Sequence, residues 1–290
     1  MVTSLDSIGL QVCFTASLVI DEVSVLSQVV LLFDIDGTLL TTKAGRTALE
    51  TAIADSTGIA SPDCDVDFSG RTDRSIVSEL FARNDIPWSE AGFVAVRDRY
   101  LELFPGLITE HGAVLLPGVR ELLSELRKLK SVSLVAMTGN FRDSGWQKLR
   151  HFGIDCYFEQ VYGGGLDHHR DDLARRARDS ILQESSTLRV SDQKEKDRRV
   201  SRKPASEASG KELSGYGGGS EKTNVSELTH FVVIGDTVAD IRCAKAIGAR
   251  AIAVLTGGID ADQLHLADPD RIFVDLSDTE AVVEELLRDL

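Results

Sequence analysis

Residues 29–39 read Val-Val-Leu-Leu-Phe-Asp-Ile-Asp-Gly-Thr-Leu, and this stretch decides the fold class. The unbroken apolar run Val29–Phe33 predicts a strand buried on both faces, because a strand with one wet face would alternate between apolar and polar residues. The run ends at Asp34 and Asp36, two like charges that are unfavourable at a buried strand end unless a cation or a proton compensates them. The alternative is an Asp-Gly turn without function. The stretch therefore predicts a core strand that leads either into a functional acidic pair or into a simple turn.

Similar apolar, β-branched runs recur along the chain with helical patterns between them. Alternating strands and helices indicate right-handed crossovers and a doubly wound α/β fold with a parallel sheet. The predicted strands are Val29–Phe33, Val132–Met137, Phe158–Tyr162, Phe231–Ile234, Ala251–Leu255 and, less regular, Ile272–Val274. The predicted helices around them are Val119–Lys130, Asp171–Leu182, Val238–Ile247 and Thr279–Leu287.

Three segments depart from that alternation. Residues 45–112 lack buried-strand runs and carry helical spacing over Arg46–Asp55, Arg74–Asn84 and Ser89–Phe104, so we expect an inserted small helical domain. Residues 185–227 are rich in Ser, Gly and charge, and we expect a disordered insertion because they cannot bury enough apolar surface to offset their ordering entropy. Residues 1–28 are predicted to be a loose N-terminal extension. The core domain would then comprise residues 29–44 and 113–290.

The composition excludes several classes of protein. The chain of 290 residues carries 32 Lys and Arg against 46 Asp and Glu, a net charge of −14, which argues against nucleic-acid or anionic-membrane partners. Four widely spaced cysteines without a Cys-x-x-Cys pair predict reduced thiols in a cytoplasmic protein. The uncharged run 8–20 is not preceded by Lys or Arg, so a signal peptide is not expected.

Two further motifs are predicted to end strands of the sheet. Thr138 is followed by Gly139 and Asn140, an arrangement that can present a hydroxyl and backbone N–H groups to an anion, or simply cap the next helix. Asp236 follows a strand and Asp240 comes one helical turn later, which is typical of a metal site, although helix dipoles also favour acids there. Because ligands bind at the carboxyl ends of parallel strands, these groups should converge with the first acidic pair. Converging carboxylates predict a hard cation, Mg²⁺ above all.

Taken together, these motifs show that the sequence resembles the haloacid dehalogenase (HAD) superfamily, in its phosphoglycolate-phosphatase-like branch with a helical cap. That family has four motifs, namely Asp-x-Asp-x-Thr, Ser/Thr, Lys/Arg and Gly-Asp-x-x-x-Asp. They match Asp34-Ile35-Asp36-Gly37-Thr38, Thr138, a basic residue, and Gly235-Asp236 with Asp240. The resemblance covers residues 29–184 and 228–290, and residues 45–112 would be the cap.

The resemblance implies a Mg²⁺-dependent phosphatase for a small phosphorylated metabolite. Asp34 would be the nucleophile and Asp36 the general acid–base, with Asp34, Asp36, Asp236 and Asp240 forming or supporting the metal site. Thr138, Gly139 and Asn140 would bind the phosphoryl oxygens. A phosphoglucomutase-like transferase uses the same motifs and stays open, as does a non-catalytic phosphate- or metal-binding module. We expect a monomer or a homodimer.

Two assignments remain alternatives. The basic residue of the third motif is either Arg170, which opens the helix after the third strand, or Lys203, which precedes a proline within the polar insertion. Position in the chain favours Arg170. In the helical block, Arg71 of Ser69-Gly70-Arg71-Thr72-Asp73 is predicted to contact a second anionic group of the substrate. The competing interpretation is that Thr72 and Asp73 only cap the following helix.

Overall fold

The computed structural model describes residues 28–200 and 229–288, without the side chains of residues 188–200. Six strands form one parallel sheet: β1 Gln28–Phe33, β4 Val132–Thr138, β5 Gln160–Gly163, β6 Thr229–Gly235, β7 Arg250–Val254 and β8 Arg271–Phe273. Their order across the sheet is β5-β4-β1-β6-β7-β8, so β1 lies between β4 and β6. All six predicted runs are strands of this sheet.

Helices cover both faces of the sheet, which explains the apolar run of β1. Val29, Leu31 and Phe33 enter one hydrophobic core, whereas Val30 and Leu32 enter the core on the opposite face. The predicted doubly wound α/β fold is therefore confirmed. The helices around the sheet are α4 Val119–Leu126, α5 Arg142–His151, α6 Arg170–Val200, α7 Val238–Ala246, α8 Ala261–Leu266 and α9 Thr279–Leu286. The first core includes side chains of α4, α5 and α9, and the second includes side chains of α6, α7 and α8.

A helical module with its own core is inserted after β1. It consists of α1 Ala44–Thr57, α2 Asp73–Arg83 and α3 Glu90–His111, and the chain enters and leaves it through the antiparallel pair β2 Leu40–Thr42 and β3 Ala113–Leu115. Its buried side chains come from all three helices, together with Phe141 of the main domain. The module therefore packs directly against the loop that follows β4.

Helix α6 continues to Val200, so residues 185–200 of the segment expected to be disordered are helical. The rest of that segment, including Lys203, lies outside the described residues, and so does the N-terminal extension up to residue 27. Among the helices that the structure describes, none combines the length and the apolar character needed to cross a membrane. Cys64, Cys156 and Cys243 are free thiols.

Candidate active site

Three motifs that are far apart in the sequence meet at one edge of the sheet. Asp34 follows β1 directly, Thr138 is the last residue of β4 and Asp236 follows β6, and all three side chains are buried. They meet because β1 pairs with both β4 and β6 in parallel, which places the three carboxyl ends side by side. Thr38 donates a hydrogen bond of 3.2 Å from its hydroxyl to Asp236 Oδ1, which links the first motif to the last.

Arg170 connects two of the acids. It is the first residue of α6, its side chain is 5% exposed, and its Nη2 atom lies 2.8 Å from Asp34 Oδ1 and also bonds Asp240 Oδ1. The other oxygen of Asp240 accepts hydrogen bonds from the backbone N–H and the hydroxyl of Thr237, at 3.0 and 2.6 Å, in a capping box that begins α7. Asp240 therefore has both carboxylate oxygens occupied by protein groups, whereas the one hydrogen bond to the Asp34 side chain among the described residues goes to Oδ1.

The acids carry more negative charge than Arg170 offsets. Burial raises the pKa of Asp34 to about 7. The charge of Arg170 lowers this pKa, but its effect is smaller than that of burial, and the charges of Asp240 and Asp36 raise the pKa further. Burial together with the charges of Asp34 and Asp240 raises the pKa of Asp236 to about 9. Burial alone would lower the pKa of Arg170, but the charges of Asp240 and Asp34 outweigh it and raise that pKa.

These carboxylates fit a divalent cation. Ligand oxygens of Asp34, Asp236 and Asp240 all lie within 4.8 Å of one another. A buried set of hard oxygen donors with excess negative charge is the donor chemistry that Mg²⁺ prefers. Since Asp240 is bonded to Arg170 and Thr237, it is better placed to support the cluster than to coordinate an ion through a free oxygen.

Asp36 pairs with a lysine that sequence reasoning missed. Lys148 of α5 places its Nζ atom 2.7 Å from Oδ1 and 2.6 Å from Oδ2 of Asp36, and it also bonds Asn140 Oδ1. The Lys148 side chain is only 2% exposed, while that of Asp36 is 38% exposed. The sequence feature that could have identified Lys148 is its position on the buried face of a short helix, beside Leu149 and one turn after Ser144.

The loop after β4 contains the predicted phosphate-binding residues. Thr138 Oγ1 accepts a hydrogen bond of 3.2 Å from the backbone N–H of Asn140, and Asn140 in turn accepts from Lys148. Between them, Gly139 touches the helical module, since a Cβ atom at this position would overlap the carbonyl oxygen of Arg71. The backbone N–H of Asp73 also donates to the carbonyl of Gly139, at 2.7 Å. The absence of a side chain at Gly139 lets the module approach the site closely.

Arg71 is occupied within the helical module. Its guanidinium bonds Glu79 at 2.6 Å and the carbonyl oxygens of Asp67 and Ser75 at 3.2 Å each. Thr72 is the N-cap of α2 and accepts from the Ser75 N–H, as the capping interpretation predicts, whereas the side chain of Asp73 accepts from the backbone N–H of Phe141. The Arg71 cation is therefore directed along α2, and its contact with substrate stays a prediction that these bonds do not favour.

A cavity of about 670 Å³ lies between the sheet edge and the helical module. The predicted site residues that the structure describes line it, except for Asp240, which is buried and bonds Arg170 and Thr237. The helical module contributes Gly45, Arg46, Leu49, Phe68, Ile76 and Tyr100 to its walls. The volume suits a small organic ligand enclosed between two parts of the chain.

Comparisons with known proteins give two family matches. The profile of the haloacid dehalogenase-like hydrolase family matches residues 31–203, and a second HAD-hydrolase-like profile matches residues 200–279. No curated protein sequence matches the chain.

Solved structures share the fold at low sequence identity. A predicted phosphatase from Clostridium acetobutylicum is 21% identical, with a TM-score of 0.54 over 89% of this chain and 99% of that one. CbbY from Rhodobacter sphaeroides in complex with phosphate is 19% identical, with a TM-score of 0.54 over 87% and 96%. A hydrolase from Pseudomonas syringae is 17% identical, with a TM-score of 0.55 over 89% and 98%.

Proposed function

The chain belongs to the haloacid dehalogenase-like hydrolases, and from this membership and its site we propose that it is a Mg²⁺-dependent phosphatase. Its substrate would be a small phosphorylated metabolite, hydrolysed through an aspartyl-phosphate intermediate. The observation that carries the proposal is the buried carboxylate of Asp34, bonded through one oxygen to Arg170 and facing the cavity beside Asp36.

Asp34 is the proposed nucleophile. Because Arg170 holds Oδ1, the carboxylate has a defined orientation and Oδ2 is available to attack phosphorus. The attack forms a bond between an Asp34 oxygen and phosphorus and releases the substrate alcohol, and water then cleaves the acyl phosphate. The Arg170 guanidinium also contributes positive charge where the phosphoryl oxygens would lie.

Asp36 is the proposed general acid–base. It lies two residues after Asp34, lines the same cavity and is partly exposed, so its carboxyl group can reach both a leaving alcohol and an incoming water. It would donate a proton to the alcohol oxygen in the first step. It would take a proton from the attacking water in the second.

The metal would be held by the carboxylates of Asp34 and Asp236 and by the main-chain carbonyl of Asp36, with Asp240 in support. When bound, Mg²⁺ supplies positive charge between the nucleophile and the phosphate dianion, which otherwise repel each other. The raised pKa values of Asp34 and Asp236 are consistent with a site that binds a cation.

The remaining groups would bind and enclose the substrate. The Thr138 hydroxyl and the backbone N–H groups near Gly139 would donate hydrogen bonds to the phosphoryl oxygens, and Asn140 borders the same loop. The helical module 45–112 would serve as the cap that excludes water from the acyl phosphate and selects the leaving group.

The proposal is tested by phosphate release from an aryl phosphate with and without Mg²⁺, alongside the Asp34→Asn variant. We expect metal-dependent release that Asp34→Asn abolishes while its circular dichroism spectrum stays that of the wild type. Wild-type turnover in Asp34→Asn would refute the mechanism. Transfer of the phosphoryl group to a second sugar phosphate, without release to water, would indicate a mutase instead.

A further inference from the structure

Lys148 is a buried cation that the mechanism above leaves unused. Lysine is among the residues least often fully buried, because removing an ammonium group from water is costly unless the charge is paired. Here the compensation is complete, since Nζ contacts both carboxylate oxygens of Asp36 and the side-chain oxygen of Asn140. An ammonium group has three N–H donors, and these three acceptors use all of them.

The contacts fix the direction of the Asp36 carboxylate. Distances of 2.7 and 2.6 Å to the two oxygens mean that the ammonium lies almost symmetrically in front of the group and hinders its rotation. The third contact ties the same ammonium to Asn140, two residues beyond Thr138. Lys148 thus joins Asp36 to the loop that is proposed to bind the phosphoryl group.

The lysine itself is held rigidly. It lies on α5 beside Leu149, which is part of the main hydrophobic core, and its ammonium lies 5.6 Å from the ring centroid of Phe104 on α3. Phe104 is fully buried and belongs to the core of the helical module. The lysine is therefore packed between the main domain and the module, and its position depends on both.

We propose that Lys148 is a positioning residue for the reaction, one that orients Asp36 for proton transfer and does not bind phosphate itself. The inference rests on the proposed function, in which Asp36 is the general acid–base. Its basis is that all three ammonium N–H groups are already directed at Asp36 and Asn140, so none is left for a phosphoryl oxygen. A carboxylate that loses this restraint should be misaligned for both proton transfers.

The kinetic test compares Lys148→Met, Lys148→Arg and a matched control, Arg250→Met. Arg250 also pairs a largely buried cation with a carboxylate, Glu285, but at the opposite end of the sheet from Asp36. We expect Lys148→Met to lower kcat on an aryl phosphate by about 10- to 100-fold with KM within about twofold, since misplaced catalytic groups cost factors of this order. Lys148→Arg should recover part of kcat because a guanidinium can hold both oxygens, and Arg250→Met should keep wild-type kcat.

A double variant separates positioning from other roles. If Lys148 acts only through Asp36, the variant Asp36→Asn with Lys148→Met should turn over no more slowly than Asp36→Asn alone. A raised KM with unchanged kcat would show direct phosphate binding and overturn the inference. Multiplied losses in the double variant, or an equal loss in Arg250→Met, would overturn it as well.

A readout without turnover keeps this inference distinct from the proposed function. Crystal structures should show the Asp36 carboxylate in one orientation in the wild type and in Lys148→Arg, and in a rotated or multiple orientation in Lys148→Met. An unmoved Asp36 in Lys148→Met would refute the positioning role. The orientation of Asp36 can be compared even if the wild type releases no phosphate, a result that would count against the proposed function alone.

Discussion

Replacing Arg170 with methionine tests the electrostatic design of the site. Arg170, Asp34 and Asp240 have side chains that are 5%, 5% and 2% exposed, so the substitution leaves two buried carboxylates without their shared cation. Removing one partner from a buried ion pair costs about 3–5 kcal/mol. The lower end of that range applies here, because Asp240 keeps its two bonds from Thr237 and Asp34 can take up a proton.

The loss of stability should depend on pH. The pKa of Asp34 is already raised to about 7 in the presence of Arg170, and removal of the cation raises it further. A carboxyl group with a raised pKa in the folded state contributes stability at acidic pH that is lost as pH rises through that pKa. The variant should therefore be closest to the wild type near about pH 5 and furthest from it above about pH 8.

The assay is urea unfolding at about pH 5 and about pH 8, followed by phosphate release. At the higher pH we expect Arg170→Met to lower the unfolding free energy by about 3 kcal/mol, a midpoint shift of about 1 M urea or more. Turnover should fall by about 10²- to 10³-fold, as on removal of one donor to a developing anion. Arg170→Lys should recover part of both quantities.

The matched control is Arg176→Met. Arg176 lies on α6, like Arg170, and the substitution breaks its ion pair with both carboxylate oxygens of Asp167. The Arg176 side chain is 32% exposed against 5% for Arg170, so water can replace part of its contacts and we expect a smaller cost, about 1 kcal/mol. Equal losses in Arg170→Met and Arg176→Met, or no pH dependence, would refute the electrostatic argument. A larger loss of turnover in Lys203→Ala than in Arg170→Met would reverse the assignment of the third motif.

Three further predictions concern the surroundings of the site. Burial raises the pKa of Asp73 to about 7, so from about pH 5 to about pH 9 the wild type should lose about 3 kcal/mol of stability relative to Asp73→Asn. Unfolding free energies that change in parallel with pH in the two proteins would contradict this. In Gly139→Ala the added methyl group would overlap the Arg71 carbonyl, so the helical module should separate from the main domain and turnover should fall at least about tenfold. In the control Gly106→Ala the methyl group meets no atom within 4 Å, and turnover should stay unchanged. Since the pKa of Asp236 is raised to about 9, Mg²⁺ should bind more tightly at about pH 9 than at about pH 6, and its binding should release protons. Calorimetry in two buffers of different ionisation enthalpy measures both the affinity and the proton release. An affinity independent of pH would rule out Asp236 as a ligand.

The sheet and the acidic cluster could be predicted because their signals are local. Continuous apolar runs identify strands buried on both faces, and residues that end parallel strands meet wherever those strands pair. Asp34, Thr138 and Asp236 could thus be brought together without knowledge of any side-chain contact. Arg170 could be preferred over Lys203 from its place in the chain, and its bonds to Asp34 and Asp240 support that preference.

Element boundaries were less predictable where packing outweighs local preference. The apolar pattern of α3 predicts a helix that ends at Phe104, just before Pro105, yet the helix continues to His111. A proline inside a helix costs about 3 kcal/mol. Ile108, on the turn beyond it, is buried in the core of the helical module and offsets part of that cost.

The sequence by itself determined the α/β class, the strands, the inserted helices and the carboxylates that end the strands, because each of these depends on residues close together in the chain. Tertiary structure decided which charges are paired. Lys148 and Asp36 are 112 residues apart, and no local pattern specifies that a lysine on a buried helix face will meet that carboxylate. In the same way Arg71 is engaged by Glu79, and Asp240 by Arg170. Such pairings depend on distance in the folded protein, since Coulomb and hydrogen-bond energies act only between groups that packing has already brought together.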